Sequence, residues 1–272
     1  GLLEIDLNAK EWHHTPANKI KVYQSSLSIA EQIWFEGFNK HPTHAWFYPP
    51  NPTKHNRTPL LVKSHSGPTS MTTNGLNLAI QFWTSRGWGV VDVNYGGSTG
   101  FGRNYRERLN KKWGEVDVFD CQAAAKALIS LGKADPKLIA IEGGSAGGFT
   151  TLACLCFSDL FKVGACRYAV SDLIAMAKST HRFEKDYLEN LIGHLTDSTH
   201  IYESRSPLLN AKKIKCPVIF FQGMKDDVVN PKHTFDMANA LKANNIPVEV
   251  FTFKEEGHGF KDSSVKKQVL LL

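Results

Sequence analysis

A serine flanked by glycines is the feature of this chain best suited to do chemistry. Residues 143–148 read GGSAGG, between an apolar run at 138–141 and small residues that predict a helix over 149–156. On such a strand-to-helix turn the serine is held in a strained backbone conformation, and the glycines leave room for neighbouring segments. We take Ser145 as a candidate nucleophile, with a chance Gly/Ser-rich loop as the alternative.

An acid and a base follow at positions that could complete a catalytic triad. Asp226 and Asp227 lie in the loop after the apolar run at 218–221, and His258 lies between two glycines after the next strand-like run. Adjacent carboxylates point in different directions, so only one of the two can face an imidazole. His233 is the alternative base, but it falls in the first turn of a predicted helix, where we expect it to face solvent. The order Ser, acid, His, each on a loop after a strand, is that of α/β-hydrolases.

The segment at residues 64–68, SHSGP, follows a predicted strand at 59–62 and is a candidate oxyanion loop. Attack on a carbonyl develops negative charge on its oxygen, and losing one N–H donor to that oxygen typically costs about 2.7–4 kcal/mol. The geometry of the turn makes the N–H of Ala146 one donor. We expect Gly67 to supply the other, with a simple turn as the alternative.

The elements that must position these residues follow a pattern of apolar runs alternating with amphipathic stretches. This pattern predicts βαβ units and a mostly parallel central sheet flanked by helices. Besides the two edge strands at 28–35 and 44–48, it predicts strands at 59–62, 88–93, 138–141, 163–170, 217–221 and 248–253, and helices at 77–86, 116–131, 149–156 and 234–243. Residues 173–207 do not fit this alternation, and we expect a small helical excursion over the site.

Composition narrows the possible partners. The chain has 272 residues, of which 42% are hydrophobic and 21% charged, with a net charge of +6. The basic residues are scattered, and even the cluster at 212–215 lacks the interleaved aromatic residues of a nucleic-acid surface. The apolar runs are too short to cross a bilayer. We therefore expect neither a nucleic-acid nor a membrane partner, while a homo-oligomer stays open.

The cysteines favour a reducing compartment. Their number is odd, none shows C-x-x-C spacing, and most lie in apolar surroundings, namely Cys121, Cys154, Cys156, Cys166 and Cys216. Buried free thiols in a cytoplasmic protein are the interpretation we prefer. The histidines do not fall at ligand spacing near the cysteines, so we expect no metal site. A reaction carried by a serine, an acid and a histidine needs no cofactor, and we expect none.

With these residues in hand, the chain resembles the catalytic domain of the prolyl oligopeptidase family of serine peptidases, in its acylaminoacyl-peptidase and dipeptidyl-aminopeptidase-like branch. The similarity rests on the loop at 65–68, the run at 92–102, the doubled glycine after Ser145, the pair Asp226-x-x-Val229 and the segment at 257–260. It implies an α/β-hydrolase fold and peptide hydrolysis through an acyl-enzyme. In the family's D-x-x-V pattern the first residue is the triad acid, which favours Asp226.

The resemblance also implies an N-terminal β-propeller in the parent chain. On this interpretation residues 1–25 hold the end of that domain and a linker, and residues 26–272 form the catalytic domain. One departure is Ser66, which replaces a glycine of the branch's HGGP loop. Another is that the loop lacks the tyrosine with which several relatives bind the oxyanion, so we expect backbone donors.

The resemblance further points to an apolar pocket for the residue before the cut. Its expected lining is Phe149, Val170, Leu173, Met176 and Val229. Packing of the core is the alternative explanation of these residues. A carboxylesterase on the same fold is the second functional hypothesis, because fold does not determine substrate, and a non-catalytic scaffold is the third.

Overall fold

The computed structural model describes residues 2–15, 24–52, 57–179 and 185–272. Its strands are β1 (Leu2–Asp6), β2 (Glu11–Thr15), β3 (Glu31–Glu36), β4 (Pro42–Tyr48), β5 (Thr58–Ser64), β6 (Gly89–Asn94), β7 (Ala134–Gly144), β8 (Val163–Arg167), β9 (Val218–Gly223) and β10 (Val248–Phe253). Its α-helices are α1 (Leu78–Thr84), α2 (Arg103–Arg106), α3 (Val116–Ser130), α4 (Ala146–Phe157), α5 (Leu173–Ser179), α6 (Lys185–Leu191), α7 (Leu195–Arg205), α8 (Lys232–Ala243) and α9 (Ser263–Leu271). Short 3₁₀ turns occur at Gln24–Ser26, Phe38–Lys40, Glu107–Leu109 and Leu208–Lys213.

An eight-stranded sheet with the order β10-β9-β8-β7-β5-β6-β4-β3 carries the core. Strands β5 to β10 pair in parallel, and β3 and β4 form the antiparallel edge. The prediction of a mostly parallel sheet with an antiparallel edge is therefore confirmed, and the architecture is that of an α/β-hydrolase. Because parallel strands end at one edge, the loops after β5, β7, β9 and β10 meet there.

The two faces of the sheet are covered by different helices. On one face the main core includes Leu128 of α3, Leu152 of α4 and Leu241 of α8. On the other face, Ile80 of α1 packs against strands β5 to β7, and Val265 of α9 packs near β9 and β10. Helix α1 begins where its sequence indicates, because the side chain of Asn77 accepts hydrogen bonds from the first-turn N–H groups.

Residues 173–207, where we expected a helical excursion, contain α5, α6 and α7. Arg205 at the end of α7 donates hydrogen bonds to the carbonyls of Lys111 (2.9 Å) and Trp113 (3.0 Å). Tyr187 of α6 reaches the loop after β5, where its hydroxyl lies 2.5 Å from the hydroxyl of Thr69. The excursion is thus attached both to the loop before α3 and to the candidate oxyanion loop.

Strands β1 and β2 form an antiparallel hairpin in a sheet of their own. Its apolar side chains are exposed, including Trp12 at 72%. The domain boundary at residue 25 stays a prediction. Within the described residues, none of the helices has both the length and the hydropathy needed to cross a membrane.

All five cysteines are free thiols, and four of them are buried. Cys216 is partly exposed. The prediction of buried free thiols is confirmed for Cys121, Cys154, Cys156 and Cys166.

Candidate active site

Ser145 occupies a sharp turn between the last residue of β7 and the first residue of α4. Its backbone angles are φ 54° and ψ −123°, a region that costs a non-glycine residue about 1–3 kcal/mol. The N–H of Ser145 donates to the carbonyl of Arg167 on β8 at 3.0 Å, and its own carbonyl accepts from Phe149 at 3.0 Å. These bonds hold the strained turn between the sheet and the helix.

The glycines around Ser145 are required by close backbone contacts. A Cβ at Gly143 would lie 2.3 Å from the carbonyl oxygen of Gly147, and a Cβ at Gly147 would lie 2.2 Å from that of Ser64. Both distances are far below any van der Waals contact. The same Cβ at Gly147 would lie 2.8 Å from the carbonyl oxygen of His65. The end of β5 and the start of the loop after it are therefore pressed directly against the turn that carries Ser145.

The structure brings Ser145, Asp226 and His258 into one hydrogen-bonded line. The Nε2 of His258 lies 3.0 Å from the Oγ of Ser145, and its Nδ1 lies 2.9 Å from the Oδ2 of Asp226. An ionised carboxylate only accepts hydrogen bonds, so Nδ1 carries the proton and Nε2 is free to accept one from the serine. This arrangement can deprotonate the serine hydroxyl.

The environment of Asp226 keeps it ionised. Its side chain is fully buried, and it accepts the N–H groups of Val228 (3.0 Å) and Val229 (2.8 Å) in addition to His258. Burial alone would raise the pKa of Asp226, but the hydrogen bonds from His258 and Val229 hold it below its usual value. Asp227 is exposed and takes no part in this line.

The loop that carries His258 is anchored on both sides. The carboxylate of Glu256 accepts the N–H groups of Lys261 and Asp262, both at 2.8 Å. The ring of Tyr168, on the loop after β8, packs against the imidazole with centroids 4.8 Å apart. Neither Glu256 nor Tyr168 was predicted to act at the site, because nothing in the local sequence pattern distinguishes them from other loop residues.

The expectation that His233 faces solvent was wrong. The residue is 9% exposed, and its Nδ1 accepts the N–H groups of Ser171 and Asp172 at 3.3 Å each. Burial lowers the pKa of His233, which agrees with a neutral, accepting ring. His233 braces the loop after β8, because the first turn of α8 packs onto that loop rather than projecting outward.

The loop after β5 is joined to the nucleophile's strand by the side chain of Ser66. Its Oγ donates to the carbonyl of Gly144 at 2.8 Å. The next residue, Gly67, has φ +131°, and a Cβ there would lie 2.8 Å from the backbone nitrogen of Thr69. The N–H of Ala146 is the first of α4, and the first N–H groups of a helix have no partner within it.

His65, in the same loop, is held by contacts with neighbouring side chains. Its Nε2 lies 2.8 Å from the Oγ of Ser98, and its ring stacks on Tyr95 at 4.2 Å. Burial lowers the pKa of His65 to about 4, so the ring is neutral near pH 7. The hydroxyl of Tyr95 donates to the carbonyls of His65 (2.9 Å) and Pro68 (3.1 Å), which holds both ends of the loop.

The five residues expected to line an apolar pocket lie in or against one hydrophobic cluster. Phe149, Val170, Leu173 and Val229 are buried, and Met176 is partly buried. The ring of Phe149 packs against Trp113 with centroids 4.5 Å apart. In this conformation the four buried side chains contribute to the core, so their role as a pocket stays a prediction.

A ladder of four charged side chains crosses the sheet at its carboxyl edge. Lys63 on β5 is opposite Asp92 on β6 and Glu142 on β7, and Arg167 lies one strand further on β8. Lys63 pairs with one oxygen of Glu142, and Arg167 pairs with the other at 3.1 Å. The ladder was not predicted, although the sequence carries a signal for it: each of the four consecutive strands β5 to β8 has one of these charges near its end.

The pKa of Glu142 reflects this pairing. Burial on its own would raise it, but the charges of Lys63 and Arg167 and their hydrogen bonds lower it to about 2. The carboxylate is therefore ionised at neutral pH. Among the described residues, no group of three or more His, Cys, Asp or Glu side chains could hold a metal ion.

Comparison with known proteins identifies the family. Residues 74–271 match the model of the prolyl oligopeptidase family. The chain belongs to the prolyl oligopeptidase family. The resemblance inferred from the motifs is thereby confirmed.

Two curated relatives and one solved structure show the range of this similarity. The chain is 31% identical to dipeptidyl peptidase family member 6 of Caenorhabditis elegans, over 74% of this chain and 28% of the relative. It is 30% identical to the acylamino-acid-releasing enzyme of Arabidopsis thaliana, over 88% of this chain and 33% of the relative. A puromycin-hydrolyzing peptidase of Mycobacterium tuberculosis superposes with a TM-score of 0.94 at 41% identity, over 98% of this chain and 42% of that one.

Each of these relatives is much longer than the matched region. The chain spans about a third of the length of the two curated relatives. This prolyl oligopeptidase family chain thus corresponds to one part of a longer relative.

Replacing Ser66 tests the link between the oxyanion loop and the turn of Ser145. Ser66→Ala removes the bond to the Gly144 carbonyl, and a lost hydrogen bond of this kind is worth about 0.5–1.5 kcal/mol. We expect kcat/KM for an aminoacyl anilide to fall roughly 2- to 10-fold. Ser264→Ala, in the exposed first turn of α9, is the control and should leave kcat/KM unchanged. An unchanged rate in Ser66→Ala would show that the loop is held without this bond.

Acid titration tests the charge of Glu142. Because the folded pKa of Glu142, about 2, lies below the ordinary glutamate value of 4.5, the group contributes stability above about pH 4.5 that is lost as pH falls toward 2. Glu142→Gln has no such titration. We therefore expect the free energy of unfolding of the unmodified protein, measured in urea, to fall more steeply between pH 4.5 and 2 than that of Glu142→Gln. Parallel curves would contradict the assignment.

Proposed function

We propose that this chain is the catalytic domain of a serine peptidase that hydrolyses short peptides through an acyl-enzyme. The observation that carries the proposal is the line from Asp226 through His258 to Ser145, with hydrogen bonds of 2.9 and 3.0 Å. Membership of the prolyl oligopeptidase family supports it.

The reaction begins when Ser145 Oγ attacks the scissile carbonyl and the Nε2 of His258 takes its proton. Asp226 holds the imidazole with Nδ1 protonated and stabilises the imidazolium that forms. His258 then gives the proton to the leaving amine, and the acyl group stays on Ser145. Water, deprotonated by His258, attacks the ester carbonyl. The bond from the carbonyl carbon to Ser145 Oγ then breaks, His258 returns the proton to Oγ, and the acid product leaves.

The oxyanion of each tetrahedral intermediate is bound by the N–H groups of Gly67 and Ala146. Support for Ala146 comes from its place as the first residue of the helix after Ser145. Support for Gly67 comes from the contact between its loop and the turn, made by the Ser66 bond and by the close approach of Ser64 to Gly147. Backbone donors need no tyrosine in this loop.

We propose that the acyl side of the substrate enters between the turn and the loops after β8 and β9, beside the apolar cluster of Phe149, Val170, Leu173, Met176 and Val229. Val229 supports this position, because its N–H is bonded to the carboxylate of Asp226. An apolar or small residue should be preferred there, since these side chains offer no charge. The peptide bond then lies between this cluster and His258.

We also propose that residues 1–25 belong to the end of a preceding domain, a β-propeller in the parent chain, and that residues 26–272 form the catalytic domain. The exposed apolar side chains of the β1–β2 hairpin support a covering neighbour. Five free thiols agree with a reducing compartment, for which we propose the cytoplasm.

Separate replacement of two adjacent aspartates by asparagine tests the triad. Asp226→Asn should lower kcat for an aminoacyl or peptidyl anilide by about 10⁴-fold, because the amide no longer holds the required tautomer of His258. Asp227→Asn is the matched control, being exposed, and should retain the rate. Equal losses in the two variants would contradict the assignment of Asp226.

Covalent labelling tests the nucleophile and the substrate class. Intact mass measured after treatment with a fluorophosphonate should show one phosphonyl group added to the unmodified protein and none added to Ser145→Ala, because only an activated serine reacts. Cleavage of an aminoacyl anilide then separates a peptidase from a carboxylesterase, which would cleave p-nitrophenyl esters alone. A labelled protein inactive on every anilide would identify an esterase, and no label would overturn the proposal.

A further inference from the structure

A cavity of about 410 Å³ opens at the carboxyl edge of the sheet, on the face that carries α1 and α9. Its floor includes Lys63, Asp92 and Arg167 of the charge ladder. Its rim is formed by residues 64–66, by Tyr168, and by residues 71–73 and 75–77 before α1. We call it the charged cavity. The proposed pocket for the acyl side does not use any of these residues.

The charged cavity adjoins the part of the site through which the leaving group departs. His258 gives its proton to the leaving amine, so that amine lies on the imidazole side of Ser145. Tyr168 packs against the ring of His258 and also lines the charged cavity. Gly144, which directly precedes Ser145, lines it as well. A leaving group held by His258 can therefore extend into the cavity.

The two cations of the charged cavity, Lys63 and Arg167, keep hydrogen-bond donors beyond those that they give to Glu142. Both oxygens of Glu142 are engaged, one by Lys63 and one by Arg167. An ammonium has three N–H donors and a guanidinium has five, so donors remain on both cations. The side chains of Lys63 and Arg167 are 14% and 23% exposed, against 8% for Glu142. The fourth ladder residue, Asp92, accepts the hydroxyl of Thr72 at 2.5 Å.

The rim of the charged cavity is held in place. The N–H of Thr72 donates to Asn94 at 2.8 Å, and the side chain of Asn94 donates back to the carbonyl of Thr72 at 3.1 Å. The hydroxyl of Tyr48 donates to the carbonyl of Thr73 at 3.4 Å. The cavity is thus formed before a ligand binds, which lowers the entropic cost of binding.

We propose that the charged cavity is the leaving-group subsite and that it selects a leaving group ending in a free carboxylate, bound by the donors of Lys63 and Arg167. The inference rests on the proposed peptidase function. Glu142, which pairs with both cations, lies three residues before Ser145, a span of about 10–11 Å along an extended strand. A chain of about one to three residues covers that span, so the carboxylate would be that of a short leaving group such as an amino acid or dipeptide. The enzyme would then cleave near the carboxyl terminus of short peptides.

The first test uses the unmodified protein and two substrates that differ in one group. An aminoacyl-alanine and the corresponding aminoacyl-alaninamide share the acyl residue, which is chosen as the one cleaved fastest among anilides. We expect kcat/KM for the acid to exceed that for the amide by about tenfold or more, since hydrogen bonds to charged groups are the stronger ones. A ratio of one or below would overturn the proposal.

The second test moves this ratio with single substitutions. Arg167→Gln and Lys63→Met should each lower the ratio of acid to amide. Glu142→Gln should raise it, because it releases both cations from their carboxylate. Lys137→Met, which removes an exposed positive charge at the opposite end of β7, should leave it unchanged. A purely structural ladder would change both rates by the same factor, so an unchanged ratio in all three ladder variants would overturn the proposal.

The two proposals fail in distinguishable ways. Turnover of both substrates with a ratio near one refutes the charged subsite and leaves the peptidase intact. Absence of turnover together with absence of fluorophosphonate labelling refutes the peptidase, and the subsite with it. Cooperative thermal unfolding of each variant establishes that a changed ratio comes from a folded protein. If one of the two cation variants, Arg167→Gln or Lys63→Met, does not fold, the other still tests the proposal.

Discussion

The position of Ser145 at positive φ is the constraint on which the rest of this structure depends. A serine is strained in that region of backbone conformation. The turn therefore persists only because the surrounding strands and helix allow no other conformation of Ser145. The bond from its N–H to the carbonyl of Arg167 anchors it to β8. The contacts of Gly143 and Gly147 leave no space for a side chain on either side. The strained turn at Ser145 is therefore stabilised by the packing of the whole central sheet.

The same crowding brings three separate loops to one place. Ser66 of the loop after β5 bonds to Gly144, Tyr168 of the loop after β8 packs on His258, and Asp226 follows β9. Parallel strands end at one edge, so groups that are far apart in sequence share it. Hydrogen bonds from the backbone and from His258 then keep the buried carboxylate of Asp226 ionised. The meeting of parallel strands at one edge of the sheet thus accounts both for the positions of the catalytic side chains and for the ionised state of Asp226.

Charge is arranged in two separate systems at this edge. On one side of the turn, Asp226 and His258 act on the nucleophile. On the sheet face beneath α1, the two cations Lys63 and Arg167 share the single carboxylate of Glu142 across three adjacent strands. A buried ion pair of this kind is weak evidence for stability, because desolvation offsets much of the attraction. The cavity that these cations line also includes Gly144, which precedes the nucleophile, and Tyr168, which packs on His258. This neighbourhood favours recognition as the role of the pairing.

Much of this protein follows from its sequence alone, because the relevant signals are local. Alternating apolar runs and helix starts such as Asn77 predict the order of the strands and helices. The glycines around Ser145 indicate a tight turn, and the order Ser145, Asp226, His258 places one group after each of three strands. These patterns depend on a few neighbouring residues, and no distant contact is needed to interpret them.

Only the tertiary structure decided which side chains meet. His233 lies in a helical first turn that sequence places in solvent, yet the packing of α8 buries it against Ser171. Ser66 reads as a departure from a family loop, but its hydroxyl reaches Gly144 because β5 and β7 are paired. The ladder of Lys63, Glu142 and Arg167 exists because the pairing of three strands brings together charges that are far apart in the chain. Lys63 and Glu142, which lie opposite each other in the sheet, are 79 residues apart. The register between distant strands is a property of the folded sheet. A single sequence predicts where strands end, but it does not show which residues of two strands lie opposite each other.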